Sequence, residues 1–125
     1  MKRDIDLIRR IALEVADMPF GYVLPNMRDE GIDDATFGLH AIWMREAGLI
    51  MAVIQEYQSG DPPTVHIARL TWNGCEFVDS IRDETLWQKA KTNVLKPDMS
   101  FTFDVLREWI KTEISQGHPA IRTLG

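Results

Sequence analysis

With 125 residues, a formal net charge of -5, and 45% hydrophobic against 26% charged residues, the chain has the composition of one soluble globular domain, which argues against disorder over most of its length. A single cysteine, Cys75, excludes an internal disulfide framework and fits a reducing compartment. No charge-free apolar run approaches the roughly 20 residues that cross a bilayer, and no apolar signal core follows the charged residues 2–6, so a cytoplasmic protein without membrane attachment is expected.

Ile5, Ile8, Ile11, Ala12 and Val15 recur at helical spacing. They predict a helix over about residues 4–17, with Asp4 as its N-cap and Met18-Pro19 as its stop. Residues 20–25 read as a short strand closed by Pro25, and residues 26–31 as a turn or short helix ending in Gly31. A second helix is predicted over about residues 33–47. Its expected buried stripe is Ala35, Leu39, Ile42, Trp43 and Ala47, and Gly48 stands where a left-handed C-terminal cap belongs.

Residues 49–55 and 64–70 are apolar and β-branched, and the stretch between them, 57–63, is dense in turn formers. That pattern predicts a hairpin. Thr71 can N-cap a helix carrying Phe77, Val78 and Ile81. Asp83 restarts it through Leu86, Trp87, Ala90 and Val94. Lys96-Pro97-Asp98 breaks the run, and a last helix follows over about residues 101–115, stopped by Gly117 and Pro119. Trp72, Trp87 and the Cys75 thiol are expected in the core, because they fall in apolar-periodic segments.

Helix, short extended segment, helix ending in glycine, hairpin, helices: this is the order of an α+β, winged-helix-like domain. It has a truncated helix-turn-helix, a two-stranded wing and C-terminal helices. We expect a single domain over residues 1–125, with a helix and wing core at 1–70 and a helical extension at 71–116.

Four blocks carry a resemblance over nearly the full length: MKRDIDLIRRI at 1–11, HAIWMREAGLI at 40–50, RLTWNGCEFVDSIRDETLW at 69–87 and SFTFDVLREW at 100–109. On these residues the chain resembles a small bacterial and phage-associated family catalogued as a domain of unknown function. The resemblance implies a winged-helix-like fold and a phage or prophage setting. It implies no catalytic residue.

By fold analogy, the helix before the hairpin would enter the major groove of double-stranded DNA. Candidate nucleic-acid contacts are Thr36, His40 and Arg45 on that helix, with Arg82, Lys89 and Lys91 farther on. The charge opposes this. Residues 20–48 hold Arg28 and Arg45 against Asp29, Glu30, Asp33, Asp34 and Glu46, and the wing tip carries Asp61 without a cation. Phosphate neutralisation supplies most non-specific affinity. With Leu39 facing inward, the outer side of the helix carries Phe37, Ala41 and Met44. The last helix spreads apolar residues, Trp109 and Ile110 among them, over more than half its circumference. These five residues form a candidate interaction face for a protein partner or a homodimer. His40, His66 and His118 are scattered, and no phosphate loop or nucleophile motif occurs. No catalytic residue, metal or cofactor is expected. The expected role is a small accessory or regulatory protein acting by protein contact or self-association, with a winged-helix DNA-binding regulator as the alternative.

Overall fold

In a computed structural model, residues 1–94 and 103–116 are described, the last of these without the side chain of Phe103. The predicted break at 96–98, the predicted start at Phe101, and Gly117, His118 and Pro119 lie outside the described residues.

Helix α1 spans Ile5–Asp17. The Asp4 carboxylate accepts the N–H groups of Asp6 and Leu7 at 3.0 and 3.2 Å, as an N-cap should. Leu7, Ile8, Ile11, Ala12 and Val15 are buried on one face. Met18 turns to an extended conformation ahead of Pro19. Within residues 20–25 only Leu24 pairs. Its N–H and C=O exchange bonds of 2.9 and 3.1 Å with Ile67. A single 3-10 turn, Arg28–Glu30, closes on Gly31. It stands where a helix-turn-helix would have its first helix.

Helix α2 spans Asp34–Glu46, capped by Asp33. Its end is a Schellman turn. Gly48 has φ +74°, its N–H bonds the Arg45 carbonyl at 3.0 Å, and the Leu49 N–H bonds the Met44 carbonyl at 2.9 Å. Strands β1, Ile50–Gln55, and β2, Thr64–Leu70, pair antiparallel from Ile50 opposite Leu70 to Gln55 opposite Thr64, with an irregularity between Met51 and Ala52. That skips Ala68 as a bulge. With Leu24 on its other side, β2 is flanked by partners on both edges. The order is winged-helix-like: α1, bridge, 3-10 turn, α2, hairpin.

Helix α3 spans Trp72–Ile81, α4 Glu84–Asn93 and α5 Phe103–Ser115. Thr71 caps α3. Its hydroxyl accepts the Gly74 N–H at 3.0 Å and donates to the Gly48 carbonyl. Asp83 caps α4 by accepting the Leu86 N–H at 2.7 Å. The chain forms two compact units divided inside α3, residues 1–78 and 79–125. In the first, α1, α2 and α3 contribute Ile11, Phe37, Met44 and Phe77, and the strands contribute Ile50 and Ile67, to the buried set. In the second, Trp87, Leu86, Leu106 and Ile110 are buried, and α4 packs on α5.

Two expectations for α3 are corrected. Cys75 is exposed, and so is Trp72, at 80%. The buried positions of α3 are Gly74, Phe77, Val78 and Ile81, which puts Trp72, Cys75 and Asp79 on the opposite stripe. Trp87 is buried as expected.

Gly74 is required by close approach. A Cβ there would lie 2.0 Å from the Leu49 carbonyl oxygen, a backbone atom that cannot yield without moving the strand. Gly74→Ala is expected to cost at least about 2 kcal/mol. Thr71→Ala, which loses the cap and the link to Gly48, should cost about 1 to 2 kcal/mol. Urea midpoints measure both, and an unchanged midpoint for either variant refutes the corresponding role.

Candidate interaction surfaces

The helical phase of α2 is the reverse of the expected one. Phe37, Ala41 and Met44 are buried, while Ala35 and Ala47 are exposed and Leu39, Ile42 and Trp43 half-buried. The helix has apolar side chains on two opposite sides, so periodicity alone does not choose between them. Packing chooses. Gly38 admits Pro63 from the hairpin connection so closely that a Cβ would meet Pro63 Cγ at 2.4 Å. The side around Gly38, with small Ala41 and bulky Phe37 and Met44, therefore faces inward. Phe37, Ala41 and Met44 offer no interaction face. Leu39, Ile42 and Trp43 lie on the opposite side of the helix, each half-buried.

His40 is also corrected. It is the one polar side chain buried among the described residues. Its Nε2 accepts the Asp4 N–H at 2.9 Å, and its Nδ1 lies 2.7 Å from the Thr36 carbonyl. A carbonyl only accepts, so Nδ1 carries the proton and the ring is the neutral tautomer. The Trp43 ring meets it edge-on at 5.1 Å. His40 ties the start of α1 to the middle of α2 and cannot reach a nucleic acid. The clue in the sequence was its position three residues after Phe37 and four before Met44. That is the spacing of a core residue, provided its ring nitrogens find partners.

Thr36 is half-buried, with its N–H given to Asp33 Oδ1 at 2.8 Å. Arg45 is exposed. Arg28, the other cation of this region, is held by Asp34 through two bonds of 2.9 and 2.7 Å. The pairing raises the Arg28 pKa and lowers that of Asp34. The Asp33 carboxyl is also held below the ordinary carboxylate range, chiefly by the Thr36 N–H. Beside the Arg28–Asp34 pair is a cleft of about 250 Å³ that includes Asn26, Pro63 and His66 in its lining. Its cation is already neutralised, so it offers no free positive charge to an anion.

In the second unit Arg82 and Lys89 are exposed and Lys91 is half-buried. Lys89 lies 3.6 Å from Glu113 of α5. Lys89 and Lys91 stand two positions apart on α4, about 200° around the helix, so they do not converge. On α5, Ile110 is buried, which removes it from any outer face, and Trp109 is half-buried. Val105 is exposed there instead. In the first unit, exposed apolar side chains that the sequence reading missed include Phe20, Tyr22 and Val23 before the bridge, and Met51 and Val53 on β1. Strand alternation could have found the last two.

Among the described residues, no group of three or more His, Cys, Asp or Glu is placed to hold a metal ion, and no helix is long and apolar enough to cross a membrane.

His40→Phe keeps the volume but strands the Asp4 N–H, and should cost about 2 kcal/mol. A calorimetric melt tests it, and wild-type stability would remove the tie between α1 and α2. The folded Asp33 pKa lies below the unfolded one. Its contribution is therefore complete above the unfolded value of about 3.9 and disappears as pH falls through the folded value. Asp33→Asn, still an N-cap, should shrink the acid dependence of the urea midpoint in that window. Superimposable pH curves would contradict it.

The family model described as "Hypothetical protein (DUF2513)" matches residues 2–100. An uncharacterized protein of Haemophilus influenzae is 34% identical over 118 residues, covering 93% of this chain and 98% of that relative. No solved structure matches the chain. The chain belongs to the DUF2513 family.

Proposed function

We infer that the protein works by binding another protein or a second copy of itself, as a small accessory or regulatory factor. The observation that carries this reading is the chemistry of α2. Where a winged-helix domain would turn a polar, cationic helix face toward a duplex, α2 turns Leu39, Ile42 and Trp43, each half-buried. Acidic Asp33 and Asp34 stand at its N-terminus, and Arg28 is neutralised by Asp34. Apolar side chains bordered by polar ones suit a protein surface, and acids at the leading end repel phosphate. A binding role without catalysis fits His40, whose two ring nitrogens are both engaged by backbone groups. A phage or prophage setting, implied by the resemblance of the four sequence blocks, is part of the proposal.

Duplex DNA contact is the competing reading, favoured by the winged-helix-like order of elements. Leu39→Lys with Ile42→Lys separates the two. Protein contact predicts that the double variant loses partner capture or self-association while keeping its melting behaviour. DNA contact predicts that the added cations strengthen duplex affinity, and that the affinity of the unmodified chain rises steeply as salt falls. Absence of any complex with protein, together with a steep salt slope on DNA, would overturn the proposed function.

A further inference from the structure

We propose that a second copy of this chain docks on the free edge of β1, so that two hairpins join antiparallel across a two-fold axis at Ala52. The proposal rests on the protein-contact reading and goes beyond it by adding a second surface, with a second copy of the chain as its occupant.

The backbone supplies the first argument. Directly opposed residues in an antiparallel pair exchange both hydrogen bonds or neither. Ile67 gives both its groups to Leu24, so Ala52, its opposite on β1, has its N–H and C=O turned away from β2. By alternation Ile50 and Ile54 turn the same way. The described sheet has the order β1-β2, and β1 is therefore an edge.

Natural edges are blunted by charge, proline or a bulge on the edge strand. The edge strand here, IMAVIQ, has neither charge nor proline, and the bulge falls on β2. Its outward side chains are exposed, Met51 at 49% and Val53 at 73%.

Self-complementarity points to a second copy as the occupant. Pairing about Ala52 sets Ile50 against Ile54 of the other copy, with all outward N–H and C=O groups matched. It also sets Met51 against Val53 on the exposed side, twice, by symmetry. The same register brings Gly48 opposite Glu56 of the other copy. Arg45, one helical turn before Gly48, then lies at the end of that strand. Arg45 and Glu56 are both exposed, and among the described residues neither has an ion-pair partner. The two-fold gives each a partner of opposite charge.

Light scattering on the full chain should give twice the 14.3 kDa mass. Ala52→Pro removes an N–H that is turned away from β2, and edge strands tolerate proline at such positions. Val53→Lys places a charge on the edge. Each should raise the dimer dissociation constant at least about tenfold with little change in far-ultraviolet circular dichroism. Register is read by cross-linking in a Cys75→Ser background. Met51→Cys mixed with Val53→Cys should form disulfide-linked dimers faster than either variant alone. This arm holds even if Ala52→Pro fails to fold.

A single-chain mass at every concentration overturns the proposal. So does a dimer untouched by Val53→Lys whose mixed cysteine variants gain no cross-linking, or one lost only in Leu39→Lys with Ile42→Lys. A single-chain mass with a protein partner still captured through Leu39 and Ile42 overturns strand pairing and leaves the proposed function standing. A single-chain mass with no partner overturns both.

Discussion

The first unit hangs on one junction, where the end of α2, the start of β1 and the start of α3 meet. The Thr71 hydroxyl accepts the Gly74 N–H and donates to the Gly48 carbonyl, and the Thr71 N–H bonds the Leu49 carbonyl at 3.0 Å. The same Leu49 oxygen occupies the space a Gly74 side chain would need. One threonine thus satisfies backbone groups at a helix end and a helix start together. Without it, the left-handed turn at Gly48 and the cap of α3 would each require separate partners. Because β1 leaves this junction directly, the junction also sets which way the hairpin points.

A second constraint acts deeper inside. His40 bridges the first turn of α1 and the middle of α2 through two bonds to backbone groups. A buried polar ring with both nitrogens satisfied holds a specific geometry, because any rotation strands a donor or an acceptor. Gly38 against Pro63 adds a steric counterpart on the same side of α2. Together they orient α2 so that Phe37 and Met44 turn in and Leu39, Ile42 and Trp43 turn partly out.

That orientation bears on what the surface can recognise. The net charge of -5 disfavours a broadly basic nucleic-acid binder. The local arrangement sharpens the point: of the two arginines in residues 20–48, one is bound to Asp34 and the other, Arg45, stands at the C-terminal end of α2 next to Glu46. Between its charged ends the helix leaves Leu39, Ile42 and Trp43 half-buried. The edge strand β1 carries no charged side chain either, and Met51 and Val53 are exposed on it.

Much of the architecture was legible in the sequence. Asp4, Thr71 and Asp83 announced helix starts, because a short polar side chain can take N–H groups that the helix itself leaves free. Gly48 announced a helix end, because a left-handed residue without a Cβ is unstrained there. Alternating β-branched residues around a run of Gly and Pro marked the hairpin. These signals are local, and neighbouring residues suffice to decide them. The phase of α2, the burial of His40 and the exposure of Cys75 and Trp72 were decided only by the tertiary structure. Apolar residues on both sides of α2 left periodicity degenerate. The choice fell to contacts across the chain: Gly38 with Pro63, His40 with Asp4, Gly74 with Leu49.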